Sequence, residues 1–147
     1  MQSLESMLPG TWFIKGTTFP MWLSSKRQNP AITYTLKDEK GVAFDDLVTY
    51  TVKGKTKAIK GVDRFQNNQF IWRGNGVLKV LTSRWHILYI DDTVLVITFE
   101  KSFVTPAGMD VLIKKEKADI HIQNYLQQHV IDKHLPASTF EPLTWLD

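Results

Sequence analysis

The sequence contains no cysteine among its 147 residues. This absence excludes disulfide bonds, thiolate metal sites and thiol nucleophiles. Cysteine usage therefore does not indicate whether the protein works in an oxidising or a reducing compartment. The sequence also lacks any apolar run that approaches the roughly 18 residues of a membrane-spanning helix. The first ten residues, MQSLESMLPG, have neither the basic nor the apolar stretch of a secretory signal peptide, so we expect a soluble cytoplasmic protein.

The sequence has no large excess of one charge either, since it contains 18 Lys and Arg residues and 15 Asp and Glu residues. The basic residues are spread along the chain and form no basic arm, so we expect no nucleic-acid partner. Hydrophobic residues make up 43% of the sequence, which is too apolar for a disordered chain. The length therefore predicts one compact domain over residues 1–147, and we expect a monomer or weak homodimer.

Motifs that would hold a metal or a cofactor are absent as well. His121 and His129 stand eight positions apart, too far along a helix to bind one ion, and no pair with H-x-x-x-H spacing occurs. His86 would bind haem only if it points into the fold while Trp85 points out, and a histidine in the wall is the simpler interpretation. We therefore predict no metal and no cofactor.

No catalytic constellation is recognisable. The sequence has no serine elbow, and the GNG at 74–76 is not followed by the helix that a phosphate-binding loop requires. The adjacent aspartates at 45–46 and 91–92 would point to opposite faces of a strand or cap a turn. We assign no catalytic residue, although a barrel enzyme with one buried acid and a few aromatic side chains would leave no motif.

The sequence does contain about eight short segments of alternating polarity, a pattern typical of antiparallel strands. Gly54 and Lys55 separate the third segment from the fourth and predict a tight hairpin. Gly74 and Gly76 lie inside the fifth segment, which is either two strands joined by a turn or one strand bent at a bulge. The segments are 11–18, 31–37, 45–54, 56–65, 69–81, 84–91, 93–101 and 109–116.

After the last segment the polarity changes to a helical period. Apolar side chains recur on one face over about 118–134, Asp119 lies near the start of this stretch, and Pro136 ends it. We therefore predict one C-terminal α-helix. The tail at 135–147 contains Phe140 and Trp145, so we expect it to pack back onto the body of the protein.

Eight consecutive antiparallel strands leave two unpaired edges unless the sheet closes on itself. An eight-stranded up-and-down barrel removes both edges, and it is wide enough to hold side chains or one small ligand. We therefore predict an all-β fold, an eight-stranded antiparallel barrel with the C-terminal helix packed against it. The alternative is an open sheet with the helix on one face.

Three stretches resemble the lipocalins. GTW at 10–12 is similar to their Gly-X-Trp motif, RWHILYIDDTVLVITFEK at 84–101 to their sixth and seventh strands, and MDVLIKKEKADIHIQNYLQQHV at 109–130 to their eighth strand and helix. The resemblance implies that Gly10 and Trp12 form a structural motif on which a cation from the last strand stacks. Lipocalins usually carry an arginine there, whereas this chain offers Lys114 or Lys115. That departure indicates a divergent, bacterial-type lipocalin-like protein or another calycin.

The resemblance also implies a cavity, and aromatic side chains on the strands and first loop are its candidate lining. Trp22 on the loop would act as a lid, and alternation places Trp85, Ile87 and Tyr89 on one face of their strand. An inward Arg73 would meet a ligand carboxylate. The predicted ligand-binding residues are Trp22, Tyr34, Tyr50, Phe70, Trp72, Arg73, Trp85, Tyr89 and Phe99.

Three hypotheses about function follow from the shape. The first is that the barrel binds or carries a small hydrophobic or amphipathic molecule, such as a fatty acid, without chemistry. The second is a small barrel enzyme of the isomerase or cyclase type that acts on a hydrophobic substrate. The third is a filled barrel whose exposed face, with the C-terminal TFEPLTWLD, binds another chain.

Overall fold

A computed structural model describes residues 3–102 and 105–146 of the chain. Strands dominate this part, and none of its helices is both long enough and apolar enough to cross a membrane. The elements are α1 Leu4–Met7, β1 Gly10–Thr17, α2 Pro20–Leu23, β2 Gln28–Leu36, β3 Ala43–Val52, β4 Lys55–Gln66, β5 Gln69–Gly74, β6 Thr82–Ile90, β7 Val94–Phe99, β8 Gly108–Lys114, α3 Ile122–His129 and β9 Thr144–Trp145. Short 3₁₀ helices span Gly76–Val80, Lys115–Lys117 and Ala137–Phe140.

Strands β1 to β8 form a closed antiparallel barrel in which each strand pairs with the next along the chain. Two ladders at β1 complete the circle, because Phe13 lies opposite Ala31 of β2 on one side and opposite Ile113 of β8 on the other. The predicted eight-stranded up-and-down barrel is confirmed, and the open sheet is excluded. The tail strand β9 pairs with Gly16 and Thr17 of β1, beyond the part of β1 that pairs with β2.

Two observed elements differ from the predicted ones. The fifth segment is neither two strands nor one bent strand, because β5 ends at Gly74 and a 3₁₀ helix leads from there to β6. The C-terminal helix is shorter than 118–134. His121 caps its start, since the ring Nδ1 accepts the Asn124 N–H, and a φ of +67° at Asp132 prevents the helix from continuing.

Helix α3 packs on the outer face of β7 and β8. Its Leu126 is buried against Val96 and Val111, whereas Leu112 of β8 points into the barrel. Both faces of these strands are therefore buried, which is why their residues form continuous apolar runs without alternation. Phe140 from the tail is buried in the same outer layer.

Trp12 closes one end of the barrel beneath α1. Its side chain is fully buried, and its Nε1 donates to the Leu8 carbonyl oxygen at 2.9 Å. Lys114 Nζ lies 4.5 Å from the centre of the Trp12 ring and donates to the carbonyl oxygens of Pro9 at 2.8 Å and Met7 at 3.4 Å. A lysine in this place thus ties down the preceding loop as well as contacting the tryptophan.

The other candidate lysine takes no part in this arrangement, since Lys115 is exposed on the following 3₁₀ helix. Gly10 has a φ of +126°, a conformation that side chains rarely adopt, and a Cβ added there would lie 3.0 Å from Lys114 Cε. Gly10, Trp12 and Lys114 therefore form one packed unit at the closed end. The opposite end, which we call the open end, consists of the connections 18–27, 53–54 and 75–81 and of the described residues 100–102 and 105–107.

Candidate ligand cavity

The barrel interior holds a cavity of about 350 Å³ on the side of the open end. Strand side chains and residues from three of the open-end connections form its wall, which is almost entirely apolar. Cavities of a few hundred Å³ are of the size that holds one small molecule. The lining residues are Ile14, Phe19, Met21, Trp22, Ile32, Tyr34, Asp46, Val48, Ile59, Trp72, Leu78, Leu81, Ser83, Trp85, Ile97, Phe99, Thr105 and Asp110.

Aromatic rings hold α2 against the open end of the cavity. The ring centre of Phe19 lies 5.5 Å from that of Phe99 and 6.2 Å from that of Trp22, in edge-to-face arrangements. Trp22 in turn lies 5.5 Å from Tyr50. Each such pair adds about 0.5 to 1.5 kcal/mol beyond the area it buries. The first loop is therefore a packed part of the wall.

Five of the predicted ligand-binding residues line the cavity: Trp22, Tyr34, Trp72, Trp85 and Phe99. Two more lie behind that wall. Phe70 is fully buried and stacks on Trp85 with 4.4 Å between ring centres, and Tyr50 is half-buried beside Trp22. These two rings support lining residues without facing the cavity.

Tyr89 lies outside the barrel, contrary to the alternation expected from the sequence. The ladder between β6 and β7 shifts register between Ile87 and Tyr89, and such a bulge reverses the face on which the following side chains lie. The hydroxyls of Tyr89 and of Tyr125 on α3 each donate to Asp91 at 2.7 Å. Burial, together with this carboxylate, raises the pKa of Tyr125 to about 12. Tyr89 therefore joins the barrel to the helix.

Arg73 is exposed on the outer face of β5, while its neighbour Trp72 lines the cavity. The expected inward arginine is therefore not part of the wall. His86 also faces outward, with Nε2 3.1 Å from a carboxylate oxygen of the exposed Glu100. With Trp85 inside and His86 outside, the arrangement required for haem ligation does not occur.

Trp72 reaches its place in the wall because the neighbouring strand carries Gly61. The Trp72 indole lies directly over this glycine, and a Cβ added to Gly61 would collide with Trp72 Nε1. A glycine in a strand commonly marks such a close approach. The size of the cavity at this point therefore depends on a missing side chain in β4.

Three buried aspartates, Asp46, Asp63 and Asp110, form the polar part of the interior, and we call them the buried acids. Asp46 and Asp110 line the cavity. Asp63 accepts a hydrogen bond from Trp85 Nε1 at 2.9 Å, and Asp110 accepts one from the Thr17 hydroxyl at 2.6 Å. Oδ1 of Asp46 and Oδ2 of Asp63 accept no N–H or hydroxyl hydrogen bond from the described part of the chain.

Burial is the largest influence on the protonation of these carboxyl groups. It raises the pKa of Asp110 to about 7, against the opposing hydrogen bond from Thr17. It raises the pKa of Asp46 to about 6, while a hydrogen bond with Asp63 acts in the opposite direction. Burial and then the charge of Asp46 raise the pKa of Asp63 well above its ordinary value, so the two carboxyl groups share one proton as a pair.

At neutral pH the Asp46–Asp63 pair therefore carries one negative charge, and ionisation of Asp110 adds a second. The described wall of the cavity contains no lysine, arginine or histidine that would balance this charge. Within residues 3–102 and 105–146, no group of three or more His, Cys, Asp or Glu side chains is placed to hold a metal ion.

The buried acids were not among the predicted site residues, although the sequence contains one signal for them. Asp46 shares its strand face with Phe44, and Asp63 shares its face with Phe65. The signal is an acidic residue at a position whose side chain lies on the apolar face of a strand. A solvated aspartate would lie on the opposite, polar face. The expectation that the pair at 45–46 points to opposite faces is confirmed, since Asp45 is exposed.

Comparison with protein-family models and with curated protein sequences finds no match. Solved structures do match. Japanin from Rhipicephalus appendiculatus bound to cholesterol has 10% identity and a TM-score of 0.57, over 88% of this chain and 91% of that chain. The siderocalin Ex-FABP has 12% identity and a TM-score of 0.54, over 88% and 94%. Bovine odorant binding protein with undecanal has 18% identity and a TM-score of 0.52, over 96% and 94%.

The fold is lipocalin-like. The matches cover about nine-tenths of each chain, but the sequence identity is low. The likeness therefore shows the architecture alone, a closed barrel followed by a helix. The lipocalin-like barrel described here keeps the Gly-X-Trp motif at its first strand and uses Lys114 as the cation that covers the tryptophan.

Proposed function

We propose that this lipocalin-like protein binds a small hydrophobic or amphipathic molecule in the cavity of its barrel. The observation that carries the proposal is the nearly all-apolar wall around about 350 Å³. Apolar ligand area that moves out of water there contributes about 25 cal/mol per Å². The neighbouring structures support the proposal, since japanin is bound to cholesterol and bovine odorant binding protein to undecanal.

A fatty acid whose carboxylate lies inside the cavity fits less well than a ligand without negative charge. Its carboxylate would meet no cation in the described wall, because Arg73 lies on the outer face. It would also add to the negative charge of Asp46, and burying like charges together is costly. The proposed ligand is therefore apolar, or amphipathic with a polar group that is not an anion.

Native mass spectrometry of the purified protein and a fluorescence titration with decanol test this proposal. Trp22, Trp72 and Trp85 line the cavity, so ligand entry is expected to change the tryptophan emission. Val48→Trp fills the cavity and is expected to abolish binding, whereas Thr49→Trp on the opposite face of the same strand is the matched control. No bound molecule and no emission change with decanol would overturn the proposal.

One observation favours a second candidate function, a small barrel enzyme of the isomerase type. Asp110 lines the apolar cavity, and burial raises its pKa to about 7, which is near the optimum for a general base at neutral pH. Catalysis predicts that the wild-type protein and Asp110→Asn co-purify with chromatographically different isomers of one compound. The same isomer on both proteins would leave ligand binding as the function.

A further inference from the structure

We propose that the ligand of this cavity is an amphipathic amine, with an apolar body among the aromatic rings and a protonated nitrogen at the buried acids. The inference rests on the proposed function, because it names the ligand class of the same cavity. Two observations carry it: the cavity wall contains two carboxyl groups, and it contains no described cation.

The carboxyl groups are part of the interior. Asp46 and Asp110 are only 7% and 4% exposed, and both line the cavity. Asp46 receives no N–H hydrogen bond at Oδ1 and shares a proton with Asp63, and Asp110 receives one hydrogen bond, from the Thr17 hydroxyl. The remaining polar groups of the wall are uncharged at neutral pH, and they are the hydroxyls of Tyr34, Ser83 and Thr105 and the indole N–H groups of Trp22, Trp72 and Trp85. Acceptor capacity therefore exceeds donor capacity in this wall.

An ammonium group supplies what the wall lacks. A buried carboxylate without a counter-ion is costly, and a protonated amine brings both a positive charge and three hydrogen-bond donors. An alcohol of the same length brings one neutral donor, and a carboxylate brings a second negative charge. The expected order of affinity is therefore amine, then alcohol, then acid.

The rings beside the acids suit a cation as well. Tyr34 lies opposite Asp46 in the ladder between β2 and β3, and Trp85 is bonded to Asp63. Both rings line the cavity, and the faces of tryptophan and tyrosine attract ammonium groups. The same wall thus offers carboxylates and aromatic faces to one ligand nitrogen.

Calorimetric titration with decylamine, decanol and decanoic acid tests the proposal, because the three probes share one alkyl chain. At pH 7.5 decylamine is expected to bind roughly 10-fold to 100-fold more tightly than decanol, as for a hydrogen bond to a charged group, and decanoic acid more weakly than decanol. Equal or weaker binding of the amine overturns the amine proposal while leaving cavity binding intact. Failure of all three probes overturns the proposed function itself.

Charge-neutralising variants test the role assigned to the acids. The double variant Asp46→Asn and Asp110→Asn keeps the shape of both side chains and is expected to reduce decylamine affinity to within about threefold of decanol affinity. Decanol binding by this variant shows that the cavity is intact. Asp45→Asn on the exposed face of the same strand is the control and is expected to bind decylamine as the wild type does. Unchanged amine preference in the double variant would overturn the proposal.

A second inference rests on the outside of the open end, whose surface we call the rim and define as segments 18–27, 53–57, 73–81, 100–102 and 105–107. We infer that the rim docks on an anionic lipid surface. These segments contain eight Lys or Arg residues and one acid, Glu100, which pairs with His86. The connections at the closed end, 37–42, 67–68, 91–93 and 115–121, contain more acidic than basic residues. The positive charge of the chain is therefore concentrated around the cavity mouth.

The rim also exposes apolar side chains. Val77 is 94% exposed and Val80 is 86% exposed, while Leu78 of the same 3₁₀ helix lines the cavity. Leu23 on the first loop is half exposed. Exposed valines next to Lys79 can enter the headgroup region of a bilayer while the basic residues of the rim contact anionic headgroups. A nucleic acid would contact the basic residues of the rim but would give the exposed valines no partner, so a lipid surface accounts for both features.

Co-sedimentation with vesicles of phosphatidylcholine, with and without one quarter phosphatidylserine, tests the inference. Binding is expected only with phosphatidylserine and is expected to weaken at high salt. Lys55→Glu with Lys57→Glu in the rim is expected to lower the partition coefficient about tenfold or more. Lys40→Glu with Lys115→Glu at the closed end makes the same change in net charge and is the control.

The outcomes separate a membrane surface from other anions. Val77→Ser with Val80→Ser is expected to weaken vesicle binding without changing net charge, which supports the docking surface. Equal loss with the rim and control charge reversals would overturn it, because attraction would then follow net charge alone. Duplex DNA that displaces the protein from vesicles and binds the valine variant unchanged would also overturn it.

Discussion

Replacing Asp110 by asparagine isolates the cost of a charge inside the barrel. Asp110 is 4% exposed, and burial raises its pKa from 3.8 to about 7. Because the folded pKa is the higher one, the stability from the protonated group is full below pH 4 and is lost as pH rises through 7. A shift of about 3 units corresponds to roughly 4 kcal/mol, at about 1.4 kcal/mol per unit.

The asparagine variant is uncharged at every pH and retains an acceptor for the Thr17 hydroxyl. Its free energy of unfolding is therefore expected to rise relative to the wild type by roughly 4 kcal/mol between pH 4 and pH 8.5. Tyr34, Asp46 and Asp63 also face this interior and are unchanged in both proteins, so their own titration largely cancels.

Urea unfolding followed by tryptophan fluorescence at several pH values measures this difference. Asp45→Asn, an exposed change on β3, is the control and is expected to show a nearly constant difference from the wild type. A difference for Asp110→Asn that stays within about 1 kcal/mol over the whole pH range would show that burial does not raise the pKa of Asp110. Asp110 would then be as well solvated in the folded protein as in the unfolded chain.

Three other substitutions have expected outcomes. Trp12→Ala removes the fully buried indole at the closed end and is expected to lower the free energy of unfolding, measured by chemical denaturation, by about 3 to 5 kcal/mol. A loss below about 1 kcal/mol would show that the indole does not close this end of the barrel. Gly61→Ala pushes the Trp72 indole from its place and is expected to cost about 1 to 3 kcal/mol and shift the tryptophan emission, so unchanged emission would contradict the close packing. Tyr125→Phe removes the α3 hydroxyl from Asp91 and is expected to cost about 1 kcal/mol, whereas equal stability would mean that this bond does not hold the helix.

The closed barrel was predictable because period-two alternation and short polar turns are local properties of the sequence. Strands β7 and β8 were still recognised although both of their faces are buried, since β-branched and aromatic residues remain frequent in them. The helix boundaries were not predictable to the same degree. The capping histidine at position 121 and the positive φ at Asp132 are features of three-dimensional geometry that a helical period does not reveal.

The cavity was predictable in outline, whereas its chemistry was not. Trp72 and Trp85 line it as expected because one face of each strand points into the barrel, and Trp22 reaches it from the first loop. Tyr89 was misplaced because a single bulge reverses the face of every later side chain in its strand, and alternation carries no sign of it. The buried acids were missed although Asp46 and Asp63 lie on the apolar faces of their strands, and the sequence carries no sign of how far burial raises the pKa of Asp110.

Intermolecular nuclear Overhauser effects between bound decanol and methyl-labelled protein test the central claim, that a small hydrophobic ligand lies inside the barrel. Ile14, Ile32 and Ile97 line the cavity, whereas Val96 and Val111 lie on the outer face beneath α3. A ligand inside the barrel is expected to show contacts from the decanol chain to the methyl groups of the three isoleucines and none to those of the two valines. Contacts confined to the outer valines, or to exposed methyl groups such as those of Val77, would contradict it.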